Sequence, residues 1–134
     1  MGSLLWSYLG SRRFPREMSS FEVRRYFTLS GDDRHVLRRR FRSRSRLGGA
    51  LQLGFVRMTG ATLDVFDYVP RAVLEHVGHQ LEISAPQLTT LRVLYRRQMT
   101  LFLHQQWACE HAGFHRHEVN DVTHVIDTLL SAPR

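Results

Sequence analysis

Between positions 45 and 59 the apolar residues Leu47, Leu51, Phe55 and Met58 recur at i, i+4, i+8 and i+11, with Ala50 and Gly54 beside them. That spacing lays one stripe along a single helix, which Thr59-Gly60 ends. Gly48 and Gly49 sit inside this helix, where each costs roughly 1 kcal/mol relative to Ala. A helix bears that cost where something must approach its backbone closely, either another helix or a phosphate chain. A chain built around such an element needs further helices to cover the stripe.

The rest of the sequence supplies them. Ser19 with Glu22 forms a capping-box pattern ahead of Val23, Tyr26 and Phe27 on one face. Ser30 with Asp33 is a weaker box, opening a helix whose apolar side is Val36, Leu37 and Phe41. Pro70 suits the first turn of a helix carrying Val73, Leu74, Val77 and Leu81, and Ser84 with Gln87 makes another box before Leu88, Leu91 and Tyr95. A longer helix runs from Arg96 to His111 with Met99, Phe102, Leu103 and Trp107 inward, closed by Gly113. Val119, Val122, Ile126 and Leu129 mark a last helix.

No segment alternates with period two, and no internal repeat is present. The prediction is all-α: six or seven short helices in one compact, orthogonal-type helical domain. Gly10, Ser11 and Pro15 break any period ahead of Met18, itself a candidate translation start. Residues 1–18 therefore read as a poorly ordered N-terminal extension, 19–115 as the helical domain and 116–134 as a C-terminal helix, the truncated start of a next module.

With 134 residues, 43% of them hydrophobic, the chain can bury one core. No apolar run approaches the ~20 residues of a membrane span. There is no secretory-signal pattern, and the one cysteine, Cys109, rules out an internal disulfide framework. These features predict a cytoplasmic protein with no membrane partner. The charge is one-sided. All nineteen basic residues are Arg; residues 1–60 hold thirteen of them against four acids, and residues 61–134 hold six against eight. Arg34, Arg38, Arg39, Arg40, Arg42, Arg44 and Arg46 lie within thirteen residues with no acid among them. A polyanion is the natural partner of such a block, although a solvated basic face or linker has the same composition.

Arg46 and Arg57 are separated by about 20° around the third helix and roughly 16 Å along it, so both could follow a DNA backbone with bidentate guanidinium contacts. Packing over the core edge, or pairing with Asp32, Asp33 or Asp64, is the alternative. Gln52 is a candidate adenine reader only if its face looks outward. Cys109, His111, His115 and His117, with His104 and His124 further off, lack the paired spacing of structural zinc and read as surface or capping residues. Asp64 and Asp67 read as helix caps rather than paired catalytic carboxylates, and Cys109 has no nucleophile-elbow signature. No cofactor, metal, catalytic residue or small-molecule substrate is called for.

The segment Arg46-Leu47-Gly48-Gly49-Ala50-Leu51-Gln52-Leu53, with Arg57 and Gly60, resembles the N-terminal, DUF4158-like region of the Tn-three (gamma-delta-type) replicative transposases. That family carries Arg-Gly-x-x-Asn-Arg-Leu-Gly-x-Ala-x-Gln leading to an Arg, two residues and a Gly. Arg25-Tyr26-Phe27-Thr28-Leu29, then Pro70, Leu74, Val77, Gln80 and Leu81, then Thr100, His104 and Gly113-Phe114, follow the family's order over residues 20–115. Two departures stand out. The family's Asn is Ser45 here, and its Arg-Arg-Glu-His is Leu101-Phe102-Leu103-His104, which removes charges from that helix and leaves Arg96 and Arg97 as substitutes.

The resemblance implies a non-catalytic helical domain that binds double-stranded DNA at transposon terminal inverted repeats in the bacterial nucleoid. The DDE catalytic domain is outside this chain, so a truncated or split transposase is implied. Its partners would be the remaining transposase domains or a second copy. The DNA-contacting candidates are Arg38, Arg39, Arg40, Arg42, Arg44, Arg46, Gln52, Arg57, Arg96 and Arg97. The alternatives are a protein-interaction (dimerisation) module and a nonspecific nucleic-acid binder.

Overall fold

The computed structural model describes residues 12–113. They form α1 (Ser20–Phe27), α2 (Gly31–Arg40), α3 (Ser43–Thr59), α4 (Arg71–Gln80), α5 (Leu88–Leu94) and α6 (Gln98–Ala112), with no strand among the described residues. The all-α prediction holds. The helix anticipated around Val119 to Leu129 lies outside the described residues.

The third helix is the axis of the fold. Every residue from Leu47 to Val56 is buried, so α3 is enclosed on all sides rather than along one stripe. The other five helices all pack on it, α6 most extensively. Its glycines make room for side chains. A Cβ at Gly48 would collide with the Tyr95 hydroxyl, one at Gly49 with the Phe41 ring, and one at Gly54 with the Phe27 ring. Aromatic side chains, not a phosphate chain, thus account for the small residues.

Local signals set most helix ends. Both capping boxes close: Ser19 Oγ accepts from Glu22 N at 3.1 Å while Glu22 Oε1 accepts from Ser19 N at 2.9 Å. Ser30 and Asp33 do the same at 2.9 Å each way. Gly60 (φ 81°) and Gly113 (φ 89°) end α3 and α6 in the left-handed conformation that Gly adopts without strain. Ser84, by contrast, caps nothing. Glu82 and Ala85 turn the chain at positive φ, Pro86 follows, and α5 starts only after Gln87, its N-cap. Pro70 is the N-cap of α4 rather than its first residue.

The inner face predicted for the last described helix needs correcting. On α6, Met99, Phe102 and Leu103 are exposed, and the buried face is His104, Trp107, Ala108 and Cys109. This helix is apolar on nearly every side, so periodicity could not say which face is inner. Ahead of residue 19, the described residues touch the helical domain. Phe14 is buried between Phe27 and Phe55 at ring distances of 5.6 and 5.4 Å. Arg12 is bonded to Thr62 and pairs with Asp64.

Long polar side chains fasten the connections. Gln80, from α4, donates to Phe27 O at 2.8 Å and accepts from Leu29 N at 2.6 Å, satisfying backbone groups where α1 ends. Arg92 donates to Phe66 O and Asp67 O at 2.9 and 3.0 Å, holding the α3–α4 connection against α5.

Candidate nucleic-acid interface

The candidate residues separate into two groups, one built into the fold and one facing solvent. Gln52 belongs to the first. It is fully buried, donating to Leu63 O at 2.8 Å and accepting from Leu63 N at 2.9 Å. Its face does not look outward, so the condition for base reading is not met.

Arg46 and Arg57 do lie at opposite ends of one side of α3, but they hold α2. Arg46 donates to Phe41 O at 3.0 Å and Arg38 O at 3.2 Å, satisfying carbonyls at the C-terminus of α2. Arg57 grips Asp33, in the first turn of α2, with two bonds of 2.7 and 3.0 Å. The two contacts set α2 antiparallel to α3. The roughly 16 Å between two such arginines matches the ~15 Å length of a ten-residue helix. The pairing alternative therefore describes Arg57 better than the phosphate-contact expectation.

Asp33 is the hub of that clamp. Its carboxylate also accepts from Ser30 N and, at 2.9 Å, from His111 Nε2 on α6. Burial alone would raise its pKa. The bonds from Arg57, the Ser30 backbone and His111, with the Arg57 charge, outweigh burial and hold the carboxyl well below the usual carboxylate range. Asp32, Asp33 and His111 bring potential ligand atoms within 4.8 Å of one another. Both Asp33 oxygens, however, are already engaged by Arg57. His115, His117 and His124 lie outside the described residues.

The exposed group lies around one groove. Arg42 and Arg44 at the start of α3, and Arg96 and Arg97 just before α6, line a cavity of about 900 Å³. Thr89, Thr90 and Thr100 add hydroxyls, and Val93 and Leu94 add apolar surface. Among the described residues none of these four arginines has an ion-pair or side-chain hydrogen-bond partner. A smaller groove of about 430 Å³ shares Arg42, Arg44 and Thr90 and continues to the loop at Glu82. Arg38 lies 3.9 Å from Glu82, which places it next to the same surface. Arg39 and Arg40 are exposed at the end of α2.

Next to the groove the core is polar but satisfied. Tyr95, one residue from Leu94, shares a 2.6 Å hydrogen bond with His104 Nδ1. Burial, with the nearby Arg40 charge, pushes His104 down to about 4, so it is neutral at pH 7. Burial holds Tyr95 far above its usual range. The threonines of the groove were not legible in the sequence, because only the packing of α5 and α6 on α3 brings them to the arginines.

A family described as "Domain of unknown function (DUF4158)" matches residues 9–132. The transposase for insertion sequence element IS1071 in transposon Tn5271 of Comamonas testosteroni is 43% identical over 108 residues, or 81% of this chain. The matched part is 11% of that protein, so the chain spans a small fraction of its relative's length. No solved structure matches. No helix among the described residues is long and apolar enough to cross a membrane.

Proposed function

This chain belongs to the DUF4158 family and is a transposase-related domain, and from that premise we propose that it is a non-catalytic DNA-binding module that recognises transposon terminal inverted repeats of the Tn-three type. One observation carries the reading: where the arginines sit on their helices. Cations are favourable at a helix C-terminus and unfavourable at its N-terminus, by roughly 0.3–1 kcal/mol each. Arg38, Arg39 and Arg40 occupy the last turn of α2, where the helix dipole itself accounts for them. Arg42 is the N-cap of α3 and Arg97 the N-cap of α6, and neither helix has an acid in its first turn or a side-chain cap. Arg44 and Arg96 flank them.

Four cations at two positive poles, without partners among the described residues, weaken the fold by themselves. A bound polyanion reverses that penalty, because phosphates meet the guanidinium groups and the free N–H groups together. A transposase relative makes DNA the fitting polyanion. The natural partners are then transposon-end duplexes and the other domains of a transposase, and the protein's place is the bacterial nucleoid.

The test is fluorescence anisotropy of the full chain against inverted-repeat duplexes and scrambled controls. End recognition predicts a preference of ~10-fold or more for the repeat. Equal binding to both would reduce the reading to a nonspecific nucleic-acid binder. A second reading, a protein-contact module, draws on Met99 and Leu103, which are 65% and 46% exposed on α6. It predicts self-association by mass in solution and indifference to DNA at moderate salt.

A further inference from the structure

Resting on the DNA-binding reading, we propose that the groove at the starts of α3 and α6 seats the sugar–phosphate ridge of duplex DNA and reads no bases. Shape is the first argument. A concave surface receives what protrudes from its partner, and on a duplex the phosphate backbone protrudes. Base edges lie recessed in the DNA grooves, where a convex element such as a helix reaches them. The surface here is a cavity of about 900 Å³.

The lining is the second argument. Among the described residues its polar side chains are four guanidinium groups and three threonine hydroxyls, all donors that phosphate oxygens can accept from. Among the described residues it contains no Asn, Gln, Asp or Glu to pair with adenine or cytosine edges, and no aromatic ring on which an unpaired base could stack. Its remaining route to a base is an arginine fork on guanine, which the recessed position of base edges keeps from a concave surface. Single-stranded nucleic acid therefore finds charge but no platform. Gln52, whose amide suits adenine, is buried against Leu63. The module's sequence preference then arises elsewhere on its surface, and the groove supplies affinity and register.

The experiment compares the full-length wild-type chain with two variants, Arg96→Gln/Arg97→Gln and Arg42→Gln/Arg44→Gln. Each is checked for cooperative melting. Binding is measured to inverted-repeat duplex, scrambled duplex and single strand over a salt series. Each double variant is expected to lose roughly tenfold or more in affinity at 0.1 M salt, with the log–log salt slope shallower by about 1.8. The loss should be the same factor for both duplexes, and the wild type should prefer duplex to single strand. Loss confined to one sequence would overturn the proposal in favour of base reading, and tighter binding to single strand would overturn it outright. Folded variants with an unchanged slope would also overturn it while leaving DNA binding intact. A wild-type chain that binds no duplex would instead remove the DNA reading on which the proposal rests.

Discussion

Arg57 and Arg42 are the same residue type in one helix, yet the fold gives them different work. Arg57 is bidentate to an Asp33 side chain that is 4% exposed. Arg57→Met leaves that carboxylate buried without its cation, so we expect a loss of about 3 kcal/mol in denaturant unfolding, with the salt slope of DNA binding unchanged. The pH sign follows from the depressed Asp33 carboxyl. Its contribution is fully present above the unfolded Asp value near 4 and fades as pH falls toward the folded one. Wild-type stability should decline in that acid window and the Arg57→Met variant should decline less.

His104 gives a second, separate window. Its folded pKa of about 4 lies below the unfolded His value near 6.5, so the unfolded chain binds the extra proton and stability falls as pH drops from 6.5 toward 4. Asn at 104 can present either a donor or an acceptor to Tyr95 and does not titrate. His104→Asn should therefore flatten the melting temperature between pH 6.5 and 4, while an unflattened profile would place that dependence on another group.

At the scale of elements, α3 shows what the sequence can and cannot say. Its existence and its end at Gly60 were readable from the apolar spacing and the final Thr-Gly. The burial of every residue from Leu47 to Val56 was not, because Gln52 looks polar in sequence and becomes internal only by pairing with the Leu63 backbone. The segment that carries the family resemblance is thus the segment that builds the core: Gly48, Gly49 and Gly54 admit aromatic rings, and Arg46 and Arg57 clamp α2. The two N-terminal capping boxes were legible because their bonds are local. The Ser84–Gln87 pattern misled because positive-φ residues and Pro86 delay α5, which a spacing rule does not see. The inner face of α6 was hidden by apolar residues on several sides, and its buried His104 is explained only by Tyr95 from another element. Gly54→Ala tests the close-approach account. The new methyl gains up to about 1 kcal/mol in helix propensity but meets the fully buried Phe27 ring, so a net destabilisation of roughly 1–2 kcal/mol is expected by thermal or urea unfolding. A stabilised variant would show that the ring can yield.

At the scale of the whole molecule, the basic character divides by position. Arg46 and Arg57 are spent on folding, and Arg38 to Arg40 match the dipole of α2. Arg42, Arg44, Arg96 and Arg97 are left at two positive helix ends around one groove. Charge density alone raised the expectation of a polyanion partner. It could not say which arginines were available, since that depends on which acids and carbonyls the fold brings beside each one. The most direct measurement is the affinity of the full wild-type chain for a duplex between 50 and 300 mM salt. Engagement of the four groove arginines predicts a log–log slope of about −3.6 or steeper. A cooperatively folded chain that fails to bind duplex at the lowest salt, or binds it with a flat salt dependence, would contradict the account.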